Sequence, residues 1–570
     1  MDTFRKTCPL IKGDRKMDKT LLNLWQSFSS GNIKIQDLAD FLNLSTKQTV
    51  RYLHKWMDEG WLTFISGKGR GNPSSLQWLK NVEQIYESQV MEIMDQQPVE
   101  KSSKYLLYNW SPNSKLRLMT KFHSKFGYIH NSDDKLIIPR RRPFLTTHPL
   151  EAADVHSAHI VANVFNQLVY MDEKGNIFPE IAHSWDLTPS TLRLYLKKSI
   201  KFHDGSILTA SDVKLCLSKL RSHTYYKDLW APIEKIEVVS PLIIDIHYPK
   251  GCSYCLQMLC MINTSIYKEN NGQIIGSGGF YIGENSLEKT SLIAFHDYFQ
   301  ERPLLDTVEF IQVPLEFDTI YQSSKHHKCN STFQVERNSG FGVIIMNVWR
   351  DSSIQHIDVR NYLHSIIANN INHIHEYDSQ KIPNIKSCLK DIDHQINIPK
   401  RKRPEFKEPL IIKATQYTEA TTKWLMNILE KENIPFQVKW VPFENYLRDE
   451  KLNEQVDLFI HGEVFEMNQE ISFYYFLTAR YSPLAKVLKT NKSLRNQLSK
   501  YKHTHFEEWS LLNKNLEKEL IESSIMIPLY YDTRQIPFSS DLTNIKMKYF
   551  GYVDFSQLWI RPLILNSQET

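Results

Sequence analysis

The sequence predicts an α/β protein in which a small N-terminal domain precedes two larger lobes of mixed strands and helices. Three short stretches within residues 19–60 carry apolar residues at helical spacing, and two alternating segments, WLTFI and SLQWL, follow them. From about residue 136 onwards, short apolar strands alternate with helical patterns. The predicted domains are therefore an N-terminal domain at 1–80, a helical basic connector at 81–135 and a two-lobed domain at 136–570.

Length and composition fit a globular protein of several domains. The chain has 570 residues, of which 41% are apolar and 23% are charged. The charge is uneven, because residues 1–142 contain 23 Lys and Arg against 14 Asp and Glu, a net +9. The rest carries 46 against 50, a net −4. This distribution favours contact with a polyanion at the N-terminal end only.

No secretory signal pattern is present at the N-terminus, and no run of apolar residues approaches the length of a transmembrane helix. The seven cysteines are an odd number scattered through the chain, as is usual in a reducing compartment. We therefore expect a soluble cytoplasmic protein without a membrane partner.

The three helical stretches of the N-terminal domain begin near Lys19, near Ile35 and at Ser45. The third, STKQTVRYLHKWMDEGW, has Ser45 or Thr46 as a suitable N-cap and Gly60 as its end. The residues predicted to be buried along this helix are Val50, Leu53, Trp56 and Met57.

The segment ISGKGRGNPSS joins the two predicted strands and combines glycines with Lys68 and Arg70. Its spacing does not fit a nucleotide-binding P-loop, which needs G-x-x-x-x-G-K-[ST] opening into a helix. Three helices followed by a ribbon with a basic, glycine-rich tip indicate a winged helix-turn-helix. The segment is then the wing, and double-stranded DNA is the expected partner.

The DNA-contact candidates lie on the polar face of the third helix and on the wing. We expect Arg51 and Gln48 to pair with base edges, and Lys47 and Lys55 to reach phosphates. The full candidate set is Ser45, Thr46, Lys47, Gln48, Arg51, Tyr52, Lys55, Lys68, Arg70 and Asn72.

The predicted elements of the larger domain follow in order along the chain. LIIPRRRPF and TLRLYLK are strand-like, VHSAHIVANVFNQLVYMD is helical, and Thr209–Asp212 caps a further helix. LIIDIHY and FGVIIMNVW are apolar strands, and a helix starts near Asp358. Residues 409–443 form a strand, helix, strand unit, and DLFIHGEVF is a further parallel strand.

Two parts of the chain resemble known protein families. PEIAHSWDLTPSTLRLYLKKSIKFHDGSILTASDVKLCLSKL, GSGGFYI and FGVIIMNVW resemble the signature regions of family 5 extracytoplasmic solute-binding proteins. Residues 20–79 resemble the N-terminal domain of the SgrR family, in which a winged helix is joined to such a domain. The resemblance implies a two-lobed, periplasmic-binding-protein-like (type II) fold and a cytoplasmic one-component sensor, of a family whose prototype responds to sugar-phosphate stress.

In family 5 proteins the ligand lies between the lobes, so the resemblance implies candidates at strand ends that face this cleft. These are Thr147, Glu151, Asn347, Trp349 and Glu463. Arg140–Arg142 and Arg350 would suit a phosphate or carboxylate through paired hydrogen bonds. The expected ligand is therefore a small polar, anionic solute such as a sugar phosphate, with a short peptide as the alternative.

Other reactive residues are interpreted as structural. Cys252, Cys255 and Cys260 lie in an apolar segment that is typical of core packing, and His326, His327 and Cys329 lie in a polar loop. No nucleophile or metalloprotease motif is present, so we expect no enzymatic activity, no cofactor and no metal.

The resulting hypothesis is a ligand-responsive transcription regulator. Two alternatives remain open at this point. One is a cytoplasmic peptide- or solute-binding protein whose winged helix contacts other proteins, and the other is the binding protein of an ABC importer.

Overall fold

A computed structural model describes residues 17–560 apart from several short segments. These segments are 68–72, 98, 124, 131–132, 173, 315–316, 318–331, 400, 447–449, 466–467, 480, 540–541 and 549–551.

The N-terminal domain has the predicted three helices and a small antiparallel sheet. Its elements are α1 (Lys19–Ser27), β1 (Gly31–Ile33), α2 (Ile35–Leu42), α3 (Thr46–Asp58), β2 (Leu62–Ile65) and β3 (Ser74–Trp78). The strand order is β1-β3-β2. Of the predicted buried stripe of α3, Leu53 and Trp56 are buried, but Val50 is only half-buried and Thr49 takes its place in the core. The buried Thr49 hydroxyl donates a hydrogen bond to the Ser45 carbonyl (3.1 Å), so its polar group is satisfied in the core.

One carboxylate ties the helices of this domain together. Asp18 caps α1 by accepting a hydrogen bond from the Thr20 backbone N–H (3.0 Å). Its other oxygen accepts hydrogen bonds from the Trp56 indole and the Lys55 ammonium, both at 3.1 Å on α3. Its backbone N–H donates to the Tyr86 hydroxyl (3.1 Å) on the next helix. Asp18 thus fixes α1 against two other helices.

Three helices follow the winged helix: α4 (Val82–Gln96), α5 (Val99–Leu106) and α6 (Pro112–His123). Glu87 of α4 accepts hydrogen bonds from Arg117 and Ser114 of α6, which joins the two helices. The connector is therefore a packed helical unit.

The first lobe contains two larger sheets and two pairs of strands. Its elements are β4 (Gly127–His130), β5 (Asp134–Arg140), α7 (Val155–Val164), β6 (Val169–Met171), β7 (Ile177–Pro179), β8 (Ala182–Leu187), β9 (Thr191–Leu196), α8 (Ala210–Ser222), β10 (Lys235–Ser240), β11 (Ile243–His247), α9 (Cys255–Met258), β12 (Lys268–Asn270), β13 (Gln273–Ile275), β14 (Phe280–Asn285), β15 (Lys289–Ala294) and β16 (Thr307–Gln312). The two larger sheets have the orders β14-β15-β16-β5-β4 and β10-β11-β9-β8, and the two-stranded pairs are β6-β7 and β12-β13. Strand β4 lies within the segment that the sequence assigned to the connector, but it pairs antiparallel with β5 and so belongs to the sheet of the first lobe.

A single apolar core joins the winged helix to this lobe. It contains Leu53 and Trp56 of α3 and Phe122 of α6, together with Ile137 and Ile311 of the five-stranded sheet. Next to these strands, the buried Phe317 ring stacks on His123, with ring centroids 4.1 Å apart. The winged helix, the connector and the first lobe are therefore packed as one body.

The second lobe is built on a six-stranded sheet of order β18-β22-β17-β21-β19-β20. Its elements are β17 (Thr332–Met346), α10 (Ile357–Asn370), β18 (Lys381–Pro383), β19 (Leu410–Ala414), α11 (Glu419–Lys431), β20 (Phe436–Trp440), α12 (Phe443–Tyr446), α13 (Glu450–Asn453), β21 (Leu458–Val464), α14 (Gln469–Thr478), α15 (Pro483–Thr490), α16 (Lys492–Leu498), α17 (Trp509–Glu522) and β22 (Met526–Ser539). Strand β19 runs parallel to both β20 and β21, which confirms the predicted strand, helix, strand unit. The mixed α/β fold class predicted from the sequence is confirmed.

Alternate residues of β17 serve two cores. Val343 and Ile345 face the core shared with the first lobe, and Ile344 and Met346 face α10 and α11. This alternation places the sheet between two apolar layers.

Short 3-10 helices occur at Pro149–Glu151, Ile262–Thr264, Ser353–Gln355, Ile371–Glu376, Gln416–Thr418 and Phe506–Glu508.

The C-terminal part of the described chain returns to the first lobe. It contains β23 (Leu542–Thr543), β24 (Met547–Lys548), β25 (Tyr552–Val553) and β26 (Trp559–Ile560). The Val553 carbonyl lies 3.2 Å from His159 Nε2 of α7, and the Phe555 N–H donates to the Asn163 side chain (3.0 Å).

Among the described residues, no helix is both long enough and apolar enough to cross a membrane.

We expect Asp18→Asn to destabilise the N-terminal domain by about 1 kcal/mol, because the neutral side chain still caps α1 but loses its charge-assisted contacts. Burial raises the pKa of Asp18, but the hydrogen bonds from Trp56 and Lys55 outweigh it and leave this pKa below its usual value. The stabilisation is therefore present above the unfolded pKa of about 3.9 and is lost as the pH falls through the folded pKa. Chemical denaturation of both proteins between neutral and acidic pH measures this difference. Asp37→Asn, at an exposed position of α2, is the control, and an unchanged difference across this range would contradict the prediction.

Candidate DNA-binding and ligand-binding sites

The start of α3 is fixed by a reciprocal capping box. The Gln48 backbone N–H donates to Ser45 Oγ (3.3 Å), and the Ser45 backbone N–H donates to Gln48 Oε1 (3.1 Å). The Gln48 side chain is thus folded back onto its own helix. We correct the expectation that Gln48 reads a base edge, because its amide oxygen is already committed to the cap.

An open groove of about 710 Å³ lies between α2, the first turns of α3 and the β2–β3 ribbon. Among the described residues that line it are the cations Lys34, Lys47 and Arg51, together with Thr46 and Val50. Within the described part of the chain, none of these three cations has an ion pair and no carboxylate lines the groove. The groove is therefore a positively charged concave surface next to the exposed face of α3.

Lys34 was missed by the sequence reasoning, although it directly precedes α2 and is that helix's N-cap residue. Its position at the groove follows from the β1–β3 pairing, which brings the start of α2 beside the ribbon. In the sequence, the feature that could have identified Lys34 as a DNA-contact candidate is its position immediately before a helix.

The other DNA-contact candidates differ in their surroundings. Lys55 is paired with Asp18 at 3.1 Å, although 52% of its side chain remains exposed. Tyr52 is exposed and lies against the Trp56 ring, with centroids 5.4 Å apart. The wing candidates Lys68, Arg70 and Asn72 lie outside the described residues.

A second site lies between the two lobes, where two adjoining cavities of about 110 and 20 Å³ share Ala153, Tyr475 and Tyr481. The first lobe contributes the end of the 3-10 helix Pro149–Glu151, Asp154 and two tyrosines. The second lobe contributes Phe443 and Glu463. The aromatic residues lining the cavities are Tyr225, Tyr226, Phe443, Tyr475 and Tyr481. We call these two cavities together the interlobe cleft.

Three carboxylates line the interlobe cleft. Glu151 is exposed and accepts a hydrogen bond from the Thr146 hydroxyl (3.2 Å). One oxygen of Asp154 caps α7 by accepting from two backbone N–H groups at 3.0 Å. Glu463, on β21, lies 3.3 Å from His461 Nε2 and 3.5 Å from the Tyr481 hydroxyl.

The backbone at Glu463 is held close to the neighbouring strand by a glycine. Gly340 of β17 pairs with Val464, and a Cβ at position 340 would lie 2.0 Å from the Glu463 carbonyl oxygen. Only glycine therefore permits this approach, which fixes the end of β21 at the cleft.

Of the five predicted ligand contacts, Glu151 and Glu463 line the interlobe cleft. Thr147 is half-buried and follows Thr146, which does line it. Trp349 lines a separate cavity of about 210 Å³ beside Lys486 and Lys489.

Asn347 is corrected, because its fully buried amide is used within the protein. Its NH₂ group donates to the carbonyls of Asn453 and Val456, and its oxygen accepts from the backbone N–H groups of Trp349 and Arg350. This side chain terminates β17 and has no capacity left for a ligand.

The arginines expected to favour an anionic ligand also have other partners. Arg140 is buried and donates to Thr290 and to two backbone carbonyls, and Arg350 forms an ion pair with the buried Asp457. Arg141 donates to the Phe317 carbonyl (2.7 Å). The Arg142 guanidinium lies 3.9 Å from the Tyr417 ring centroid and does not line the cleft. We correct the expectation that these arginines form an anion site between the lobes.

Two histidines near the cleft are held in the neutral form. Burial lowers the pKa of both His148 and His223, against the opposing charge of Glu151. At neutral pH these rings therefore add no positive charge to the site.

The cysteines singled out in the sequence lie in the core. Cys252, Cys255 and Cys260 are buried around α9, and burial raises the pKa of Cys255 well above its usual value. Among the described residues, no group of three or more His, Cys, Asp or Glu side chains is arranged to hold a metal ion. His326, His327 and Cys329 lie outside the described residues.

Two family models match separate parts of the chain. Residues 16–127 match the sugar transport-related sRNA regulator N-terminal domain. Residues 176–332 match the middle part of the bacterial extracellular solute-binding proteins, family 5.

Curated relatives resemble the chain over nearly its whole length. An HTH-type transcriptional regulator SgrR from Photorhabdus laumondii is 24% identical over 96% of this chain and 99% of its own. Proteins of the same name from Pectobacterium atrosepticum and Yersinia pseudotuberculosis are 22% and 21% identical with the same coverage.

Solved structures resemble the two-lobed part. A dipeptide-binding protein from Pseudoalteromonas sp. SM9913, in complex with Met-Leu, has a TM-score of 0.64 at 16% identity and covers 75% of this chain and 100% of its own. The murein tripeptide binding protein MppA of Escherichia coli has a TM-score of 0.61 at 14% identity and covers 75% and 99%. NikA from Brucella suis has a TM-score of 0.60 at 15% identity, covering 75% and 100%. These similarities show the fold.

We expect Gln48→Ala to lower the free energy of unfolding by about 0.5–1 kcal/mol, because it removes one half of the capping box. Gln48→Glu should keep most of this stability, since a glutamate at the same position can accept the same hydrogen bond. Urea denaturation of the three proteins measures the difference. His54→Ala, at an exposed position in the middle of α3, is the matched control, and an equal effect of both alanine variants would contradict a capping role.

Proposed function

We propose that this chain, which has the SgrR-type architecture of a winged helix joined to a family 5 solute-binding domain, is a one-component transcriptional regulator. It binds double-stranded DNA through the winged helix and senses a small solute between its lobes. The similarity to curated HTH-type transcriptional regulators over 96% of the chain supports this function over that of an importer's binding protein. The observation that carries the proposal is the groove of the winged helix lined by Lys34, Lys47 and Arg51, which have no ion pair within the described residues.

The DNA contacts follow from the position of these cations. Helix α3 enters the major groove with its N-terminal half, as in other winged helices. Arg51, which is exposed one turn after the capping box, pairs with a guanine edge. Lys34, Lys47 and Thr46 bind phosphates, and Ser45 supports them by fixing the helix start.

The remaining candidates have supporting roles in the same proposal. Lys68, Arg70 and Asn72 contact the duplex from the wing. Tyr52 contacts the sugar–phosphate backbone. Lys55 adds positive charge at the end of α3 while it stays paired with Asp18.

The shared apolar core determines how ligand binding is transmitted. Since the winged helix is packed on the first lobe, closure over a ligand moves the second lobe relative to the DNA-binding face. A ligand changes DNA affinity only to the extent that it prefers one arrangement of the lobes. Thr147, Glu151 and Glu463 lie at or beside the cleft and are its proposed contacts. The regulator acts in the cytoplasm without enzymatic activity.

Binding of the full-length protein to the DNA beside its own gene tests the proposal. Fluorescence anisotropy against this duplex and a scrambled duplex of equal length, at several salt concentrations, separates specific from general binding. We expect tighter binding to the native sequence. Equal, weak binding to both duplexes at low salt would contradict a regulatory role.

We expect Arg51→Ala to reduce the discrimination between native and scrambled duplexes by about 1–3 kcal/mol, because it removes contacts to one base. Lys47→Ala should weaken binding to both duplexes alike and reduce the salt slope by about one. Lys214→Ala, an exposed lysine on α8 of the first lobe, is the control for a change in net charge. If Arg51→Ala and Lys47→Ala gave the same pattern, Arg51 would be a phosphate contact.

A further inference from the structure

The walls of the interlobe cleft are aromatic and come from both lobes. Tyr226 of the first lobe and Tyr475 of α14 are stacked across the cleft, with centroids 6.1 Å apart and planes at 15°. Tyr481 packs edge-on against Tyr475, with centroids 5.8 Å apart. Tyr225 and Phe443 complete the aromatic lining. The faces of such rings carry partial negative charge and attract cations.

The formal charges in the cleft have the same sign as the ring faces. Glu151 and Asp154 lie on the first lobe and Glu463 on the second, and none of the three has an ion pair with Lys or Arg among the described residues. No Lys or Arg within the described ranges lines the cleft. The Arg142 guanidinium lies over the Tyr417 ring, which contacts the cleft-lining Phe443 with ring centroids 4.7 Å apart.

The aromatic walls and the carboxylates of the interlobe cleft together favour a cationic ligand over an anionic or a neutral one. A phosphate or carboxylate would have to approach three carboxylates in a partly desolvated cavity, where like charges repel most strongly. Glu463 is only 15% exposed and has no Lys or Arg partner among the described residues, so a neutral ligand would not offset its charge. A cation offsets this charge and also binds the ring faces.

We propose that the interlobe cleft binds a small organic cation, with its ammonium group between Glu463 and the aromatic rings of Tyr226, Tyr475 and Tyr481. This inference rests on the proposed function, because it names the ligand class of the proposed sensor site. The larger cavity, of about 110 Å³, is lined by Glu151, Asp154 and Tyr226 and sets the size of the ligand. Glu463 lines the adjoining cavity of about 20 Å³, and Tyr475 and Tyr481 line both. A cavity of about 150 Å³ accommodates benzene, so the ligand has roughly half a dozen non-hydrogen atoms.

The site also explains how such a ligand would join the lobes. Its charge would be shared between Glu151 and Asp154 on one side and Glu463 on the other. The aromatic faces likewise belong to both lobes. Each contact is complete only when the lobes are close together, so the cation favours the closed arrangement.

Isothermal titration of the full-length protein against choline and ethanolamine, with glucose 6-phosphate and a neutral dipeptide as comparators, tests the inference. We expect the ammonium compounds to bind and the phosphate not to bind. Glu463→Gln should weaken choline binding roughly tenfold or more, because it removes a charge-assisted contact but keeps an acceptor for His461. Tyr475→Leu should weaken it severalfold, and Tyr475→Phe should restore it, since the ring face is retained.

Glu419→Gln, an exposed carboxylate of α11 paired with Lys423, and Arg142→Gln are the matched controls and should leave choline binding unchanged. Circular dichroism of each variant shows whether it is folded. The inference would be overturned if neither choline nor ethanolamine bound at millimolar concentrations, or if choline binding were insensitive to Glu463→Gln. It would also be overturned if only glucose 6-phosphate bound, in particular if Arg142→Gln abolished that binding. Anisotropy with DNA on the same samples separates the two proposals, because the wild-type protein would still bind its specific duplex if only the ligand class were wrong.

Discussion

The structure depends on the apolar core that runs from α3 of the winged helix through the connector helices into the five-stranded sheet of the first lobe. Trp56 and Phe122 belong to the same buried cluster as Ile137 and Ile311. A flexible linker would let the DNA-binding domain tumble independently of the solute-binding domain. Here the buried apolar area fixes its orientation, and Asp18 adds polar contacts that hold α1 and α3 in register. The position of the DNA-binding face is therefore defined relative to the first lobe.

The two sites on this framework have opposite electrostatic character. The groove of the winged helix carries Lys34, Lys47 and Arg51, whereas the interlobe cleft carries Glu151, Asp154 and Glu463. A polyanion and a small cation would thus be bound by the same chain without competing for one surface. The charge distribution along the sequence agrees with this difference, because residues 1–142 are net positive and the remaining residues are slightly net negative.

Elements with strong local patterns were predictable from the sequence, and residue roles that depend on distant contacts were not. The α3 helix, the β2–β3 ribbon and the strand, helix, strand unit at 409–443 each have periodicity and capping signals in their own residues. The role of Gln48 could have been inferred from its spacing to Ser45, because this spacing is that of a capping box. By contrast, Asn347 and Arg350 are satisfied by residues about a hundred positions away, which no local pattern reveals. The tyrosines of the cleft were also missed, because Tyr226, Tyr475 and Tyr481 meet only when the lobes are assembled.

The return of the C-terminal hairpins to α7 has a consequence for biosynthesis. Val553 and Phe555 complete the hydrogen bonding of His159 and Asn163, nearly four hundred residues earlier in the chain. The winged helix and most of the first lobe leave the ribosome long before these residues are synthesised. Helix α7 therefore lacks these final partners until the second lobe has been made. The nascent DNA-binding domain can fold early on local contacts, whereas the lobe on which it is packed is finished last. Completion of the first lobe therefore depends on residues that are synthesised after the second lobe, and a chain terminated before residue 553 would carry a winged helix on an unfinished lobe.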